Sequence, residues 1–206
     1  MKLHILLLFI PACFALNMAF GPNNLLSLTV GARQGMRDAV LSGFVRLVAF
    51  AGMIAIAGFG MGAILMASAA LFTAVKFAGA AYLFWIGIRL ILSREAPQSG
   101  PVEIKPLRDL LRQEFLVAAG NPKAILIFTA FFPQFVQPSA YWQSFVLLGG
   151  IFLVLETAAI AIYAFLGARL KGVVRSSRAM RRINQVSGSV MMGFGLLLAF
   201  ARQPAT

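Results

Sequence analysis

The sequence predicts an all-α integral membrane protein, with six transmembrane helices arranged as two inverted three-helix repeats. Three observations lead to this fold class. Of the 206 residues, 60% are hydrophobic and only 12% are charged, whereas about a quarter of the residues in a soluble domain are charged. The apolar residues form long runs, and the basic residues fall in alternating loops between these runs. Two of the runs contain a glycine–proline break, and the two breaks lie 100 residues apart.

The apolar runs predict the helices in chain order. A helix needs about 20 apolar residues to cross a hydrocarbon core of about 30 Å. Runs that are continuously apolar, rather than alternating with polar residues, favour helices over a β-barrel. The predicted helices cover about residues 3–30, 47–66, 71–92, 115–136, 145–166 and 183–200 of a single polytopic membrane domain that occupies residues 1–206.

Three helix boundaries are predicted from local features of the sequence. The uncharged run from Leu47 to Val75 is too long for one helix, so we expect a turn near Ala67–Ala70. Prolines and polar residues between Pro133 and Ser139 predict the turn between the fourth and fifth helices. The chain also starts like a signal peptide, but its apolar run continues past any cleavage site, so we expect an uncleaved first helix.

The basic residues predict the orientation. Lysine and arginine number 18 and acidic residues number 6, which gives a net charge of +12. In a soluble protein this charge would suggest nucleic-acid binding, but here 14 of the 18 cations fall in three alternating loops. Basic loops remain in the cytoplasm, so we predict cytoplasmic odd loops, both termini outside, contact with anionic lipid and no nucleic-acid partner. These loop cations are Arg33, Arg37, Arg46, Arg89, Arg94, Lys105, Arg108, Arg112, Arg169, Lys171, Arg175, Arg178, Arg181 and Arg182.

The two glycine–proline breaks predict a pathway for a solute. Proline removes a backbone donor and interrupts the helical hydrogen bonds. In lipid the freed carbonyl groups need partners in the protein or in a water-filled cavity. Each half of the chain has an odd number of membrane crossings, so the second half is inverted relative to the first. Helix breaks at matching positions of inverted halves are typical of transporters. Either break alone is explained by a simple proline kink. We predict that a substrate or ion pathway is lined by Gly21, Pro22, Asn23, Asn24, Asn121, Pro122, Lys123 and Glu156.

Lys123 and Glu156 are ionisable residues inside predicted spans. They lie 8 and 10 residues from the predicted inner helix ends, at depths of about 12 and 15 Å. A charge in the bilayer centre costs from about 3 to over 10 kcal/mol. We therefore predict a Lys123–Glu156 pair that lines the pathway, with Glu156 as a candidate proton carrier. A purely structural ion pair, or a neutral Glu156 held by a hydrogen bond, is the alternative.

The sequence gives no sign of an enzyme. It contains one histidine, His4, and one cysteine, Cys13, so it lacks the Cys/His cluster of a metal site. It also lacks a glycine-rich nucleotide-binding loop. We predict no catalytic residues, no metal and no cofactor. The amides near the first break suit a polar or zwitterionic ligand, and they equally suit hydrogen bonds between helices.

Several stretches resemble the LysE-type amino-acid exporters, the superfamily of lysine exporters and homoserine/threonine exporters. The matching stretches are Gly21-Pro22-Asn23-Asn24-Leu25, Arg33-Gln34-Gly35, Lys76 through Gly87, Gly120 through Val136, and Gly188. The resemblance implies a bacterial inner-membrane exporter of amino acids or related metabolites, driven by the proton or ion gradient. It also implies a homodimer and assigns pathway roles to Gly21, Pro22, Asn121, Pro122 and Lys123.

Two other functions remain open at this point. One is the export of another small solute or an ion, and the other is a non-transporting membrane scaffold subunit. The matched breaks and the deep Lys123 and Glu156 argue against a scaffold, which has no need of buried charges.

Overall fold

The computed structural model describes residues 3–67, 69–92, 104–169 and 177–200, and the regular structure in these ranges is helical. The predicted loop cations Arg94, Lys171 and Arg175 lie outside the described residues. A π-helix (Ile127–Phe131) and two short 3-10 helices (Phe132–Gln134 and Pro138–Ala140) connect α6 to α7. The α-helices are α1 (Leu3–Met18), α2 (Pro22–Gln34), α3 (Met36–Ala67), α4 (Ala69–Leu92), α5 (Leu107–Ala119), α6 (Pro122–Leu126), α7 (Tyr141–Arg169) and α8 (Ser177–Phe200).

Both predicted breaks are present. Helices α1 and α2 meet at an angle of 58°, and α5 meets the segment Lys123–Gln134 at 46°. Pro22 and Pro122 are the first residues of α2 and α6, where the missing backbone N–H of proline removes no helical hydrogen bond. The proline positions therefore explain why each helix restarts where it does.

The helices are those of a membrane protein. Met36–Gly60 and Pro138–Arg169 are each long and apolar enough to cross a membrane, and the two bent pairs raise the number of candidate spans in the described ranges to four. Large apolar side chains such as Val48, Ile56 and Val154 are exposed on these helices, as a lipid-facing surface requires. The all-helical membrane fold is thus supported, while the six-span count and the inverted repeat stay predictions.

Glycines bring two helix pairs into backbone contact. A Cβ atom added to Gly87 in α4 would lie 2.7 Å from the carbonyl oxygen of Gly188 in α8. A Cβ atom added to Gly31 in α2 would lie 2.5 Å from the carbonyl oxygen of Ala164 in α7. Small residues allow helices to approach this closely in membranes, and α4–α8 and α2–α7 are the most extensive helix contacts.

An aromatic core supports the junction of the broken helices. It joins Phe9 of α1, Phe50 of α3, Phe152 of α7 and the π-helix residue Phe128, all of them buried. The rings of Phe128 and Phe152 meet edge to face, with centroids 4.9 Å apart. This packing is favourable for aromatic pairs. The polar residues of the breaks lie against this aromatic core.

Candidate functional site

The end of α1 is held by side chains from other helices. Lys123 Nζ donates hydrogen bonds to the carbonyl oxygens of Leu16 (3.1 Å) and Ala19 (3.0 Å). Asn24 Nδ2 donates to the carbonyl oxygens of Asn17 (2.7 Å) and Ala19 (3.0 Å). The last carbonyl groups of a helix lack partners within that helix, and a cation is favourable at this negative end of the helix dipole. The break therefore creates a site for Lys123.

Two more contacts complete the end of α1. The Tyr163 hydroxyl of α7 donates a hydrogen bond to the carbonyl oxygen of Met18 (2.7 Å). The backbone N–H of Phe20 donates to the hydroxyl of Ser187 in α8 (2.7 Å). Helices from both halves of the chain thus satisfy the backbone groups that the first break exposes.

The two breaks are connected through their asparagines. Asn121 caps α6, because its side-chain oxygen accepts a hydrogen bond from the backbone N–H of Lys123 (3.0 Å). Its amide nitrogen donates to the side-chain oxygen of Asn23 in α2 (2.6 Å). Gly21 adopts an extended conformation, and a Cβ atom added there would lie 3.7 Å from Lys123 Nζ. Gly21 therefore lies beside the Lys123 ammonium group.

Arg46 occupies the centre of the site, and its predicted position in a cytoplasmic loop is wrong. Helix α3 begins at Met36, so Arg46 lies 10 residues inside it, and its side chain is fully buried. Arg46 donates to both carboxylate oxygens of Glu114, from Nε (3.2 Å) and Nη2 (2.9 Å). Its Nη1 donates to Glu156 at 3.1 Å. One guanidinium group of α3 therefore bridges the carboxylates of α5 and α7.

The remaining donors of Arg46 are used by α2. Nη1 also donates to the side-chain oxygen of Asn24 (3.3 Å), and Nη2 donates to the backbone carbonyl of Asn23 (2.7 Å) and to the hydroxyl of Ser27. Asn23 Nδ2 in turn donates to Glu114 (3.4 Å). A guanidinium group has five N–H donors, and these contacts engage all of them.

The structure does not show the predicted direct pair of Lys123 and Glu156. The ion-pair partner of Glu156 is Arg46, and Lys123 donates to the carbonyl groups of α1. The prediction was based on the similar depths of the two residues and overlooked Arg46, because hydropathy placed Arg46 at the membrane edge. Arg46, Lys123, Glu114 and Glu156 together contribute two cations and two carboxylates, so their formal charges balance within the site.

A small cavity lies between the two breaks, and its volume of about 10 Å³ is close to the threshold for one water molecule. Of the eight predicted pathway residues, five line this cavity. Gly21 lies beside Lys123, and the two prolines begin the helices at the breaks. The structure thus brings the predicted residues together, while their part in transport stays a prediction. The five lining residues are Asn23, Asn24, Asn121, Lys123 and Glu156.

Arg46, Glu114 and Ser27 were missed by the sequence reasoning. Glu114 directly precedes the predicted span that starts at residue 115, and no pattern in the sequence placed it beside Arg46. The described residues contain no group of three histidine, cysteine or acidic side chains that could hold a metal ion. The arrangement is a buried, hydrogen-bonded charge cluster of the kind that marks solute and ion pathways in membranes.

Comparisons with known proteins point to one family. The sequence pattern of the LysE type translocators matches residues 14–202. An uncharacterised membrane protein of Vibrio cholerae serotype O1 is 33% identical over 205 residues, which cover 98% of this chain and all of the relative.

Other relatives carry functional names. A homoserine/homoserine lactone efflux protein of Salmonella typhimurium is 29% identical, over 91% of this chain and 92% of its own. A leucine efflux protein of an Enterobacter species is 26% identical, over 93% of each chain. No solved structure shows a significant match. With a family match that covers nearly the whole sequence, the chain belongs to the LysE type translocators, a family of membrane transport proteins.

Proposed function

We propose that this chain is a secondary transporter that exports amino acids or related small metabolites from the cytoplasm, coupled to the proton or ion gradient. The observation that carries the proposal is the buried charge cluster at the junction of two broken helices, in a chain of the LysE type. The names of two relatives, for efflux of homoserine and its lactone and of leucine, support an amino-acid substrate.

The architecture proposed for this function is six spans in two inverted halves. The broken pairs α1–α2 and α5–α6 would be equivalent, as would α3 and α7, and α4 and α8. The contacts support this relation, because α3 packs against α5 and α7 packs against α1. Inverted repeats with broken helices at matching positions are the arrangement of many secondary transporters.

Glu156 is the proposed proton carrier. Its carboxylate lines the cavity, and it belongs to α7, a different helix from the two that break. Arg46 is its ion-pair partner, so gain or loss of a proton on Glu156 would change the attraction between α3 and α7. Such a change gives the coupling ion a direct effect on helix packing.

The proposed location is the bacterial inner membrane, with odd loops in the cytoplasm, both termini outside, lipid contact around the helices and a homodimeric assembly. With Arg46 assigned to the interior, 13 cations still favour this orientation. A reporter that is active only outside the cytoplasm, fused after Thr206, should be active. Activity of a strictly cytoplasmic reporter at that position would reverse the topology.

Efflux from vesicles tests the proposed function. Proteoliposomes loaded with radiolabelled amino acids should release one or more of them when a proton or ion gradient is imposed, and empty liposomes should not. Glu156→Gln should abolish the dependence of efflux on a proton gradient, whereas Asp109→Asn on the exposed face of α5 should preserve it. Absence of gradient-driven efflux across all natural amino acids would refute the proposal.

A further inference from the structure

We propose that the cavity binds the zwitterionic head group of a neutral α-amino acid, with its carboxylate on Lys123 and its ammonium group on Glu156 and Asn17. The inference rests on the proposed function and adds to it the orientation of the substrate and the class of its side chain. It follows from which polar atoms at the cavity are already engaged and which are not.

Lys123 is the cation available to a substrate carboxylate. An ammonium group has three donors, and Lys123 uses two of them on neutral backbone carbonyls. Within the described part of the chain, no carboxylate forms an ion pair with Lys123. Among the residues whose burial is described, Arg46 is the other buried cation, but it already binds Glu114, Glu156 and three groups of α2. A substrate carboxylate would therefore meet Lys123 first.

Glu156 and Asn17 supply the acceptors for an ammonium group. Among the described residues, the one hydrogen-bond donor to Glu156 is Arg46, which contacts Oε1. Within the described ranges, the side-chain oxygen of Asn17 is buried without a hydrogen-bond partner, although its amide nitrogen donates to the carbonyl oxygen of Phe152 (3.3 Å). Both side chains line the cavity. A buried acceptor without a donor is unfavourable, and a bound ammonium group would supply the missing donor.

The other residues of the cavity wall determine which class of substrate side chain can bind. Phe50, Ile127 and Phe152 contribute apolar surface, and Phe50 and Phe152 are packed edge to face with centroids 5.7 Å apart. The four charged groups of the site are balanced, so a substrate with a third charge would bury it without a partner, which is strongly unfavourable. The wall therefore favours a neutral side chain over that of lysine or glutamate.

Binding requires the cavity to enlarge, because its present volume suits about one water molecule. The contacts to be exchanged are those of Lys123 with the carbonyl groups of α1. A carboxylate is a stronger partner for an ammonium group than a neutral carbonyl. Substrate binding would thus release the end of α1 from Lys123, which links recognition to movement of the broken helix.

Binding of radiolabelled L-leucine to the purified protein in lipid nanodiscs tests the inference. Competition should show that L-leucine methyl ester, which lacks the carboxylate, and N-acetyl-L-leucine, which lacks the ammonium group, bind about 10- to 100-fold more weakly than leucine. L-Lysine and L-glutamate should also compete poorly. Equal binding of leucine and its ester, or binding of lysine in preference to leucine, would overturn the inference.

Substitutions in the cavity test which residue binds the carboxylate and which binds the ammonium group of the substrate. Lys123→Gln should remove most of the preference for leucine over its methyl ester, and Asn17→Leu should reduce the preference for leucine over N-acetyl-leucine. Lys105→Gln, a lysine that contacts Gln113 away from the cavity, is the matched control and should behave as wild type. Unchanged preferences in correctly folded Lys123→Gln protein would overturn the assignment. The wild-type panel decides the head-group question even where a variant fails to fold.

The assay separates this inference from the proposed function. Specific binding of leucine without gradient-driven efflux would refute export and support the head-group assignment. Efflux restricted to compounds that lack one of the two head-group charges would support export and refute the assignment. Absence of binding by every compound in the panel would refute the assignment directly.

Discussion

Arg46 of α3 and Glu114 of α5 form a two-point ion pair in which both side chains are fully buried. Arginine is suited to this role, because its planar group matches a carboxylate in geometry and is always charged. The pair joins two helices that hydropathy alone treats as separate, and it holds the guanidinium group against the start of α2, beside the first break.

Glu114→Gln should lower the thermal stability of the protein in detergent. The change leaves Arg46 with Glu156 as its one anionic partner in the described part of the chain, and removal of one member of a buried ion pair costs about 3–5 kcal/mol. The measurement is the melting temperature followed by size-exclusion chromatography. Asp109→Asn, on the same helix but exposed, is the control and should melt close to wild type. A Glu114→Gln protein as stable as the control would contradict a structural role for the pair.

Gly167→Ala should destabilise the contact between α2 and α7. A Cβ atom at Gly167 would collide with the carbonyl oxygen of Leu28, and overpacking of this kind costs about 1–3 kcal/mol. Gly150→Ala in the same helix is the matched control, because a Cβ atom there has no neighbour within 4 Å among the described residues. The yield of monodisperse protein should fall for the first variant and stay unchanged for the second. Equal yields would show that α2 and α7 are further apart than described.

Ser187→Ala should weaken the attachment of α8 to the first break. The hydroxyl of Ser187 accepts the hydrogen bond from the backbone N–H of Phe20, and an unsatisfied buried donor costs about 1–3 kcal/mol. Ser189→Ala, two residues further along and exposed, removes a hydroxyl from the same helix without this loss. Hydrogen exchange at the Phe20 amide should accelerate in the first variant alone. An unaltered exchange rate would argue against the bond.

Cys13 should resist thiol reagents in the resting protein. It is the only cysteine of the chain, and it is fully buried in the aromatic core beside Phe9. A water-soluble maleimide should label it only after denaturation in SDS. A Cys13→Ser, Ser139→Cys protein supplies the positive control, since Ser139 is exposed. Rapid labelling of Cys13 under native conditions would show that α1 separates from the core without substrate.

The breaks could be predicted from the sequence because their cause is local. Pro22 and Pro122 each remove a backbone donor whatever surrounds them, and the structure restarts a helix at both. The polar residues beside the prolines were predicted for the same reason, because freed backbone groups in a membrane need partners.

The centre of the site could not be predicted, because its cause is tertiary. Hydropathy ended the apolar runs at Arg46 and Glu114, which are unfavourable in lipid when considered singly. Their attraction offsets the cost of burying each charge only when α3 and α5 are neighbours. Neither segment on its own shows that the two helices are neighbours. The predicted pairing of Glu156 with Lys123 was wrong for the same reason. The partner of Glu156 is Arg46 of α3, and the comparison of membrane depths had not included that helix.

The saturation of Arg46 has a consequence for leakage. A membrane transporter must not let protons or small cations pass while it is empty. With every donor engaged, Arg46 has no free N–H to start a chain of ordered waters, and its two carboxylate partners keep it from swinging aside. The same residue that joins α3 to α2, α5 and α7 therefore leaves no donor free for a path of water through the centre of the site.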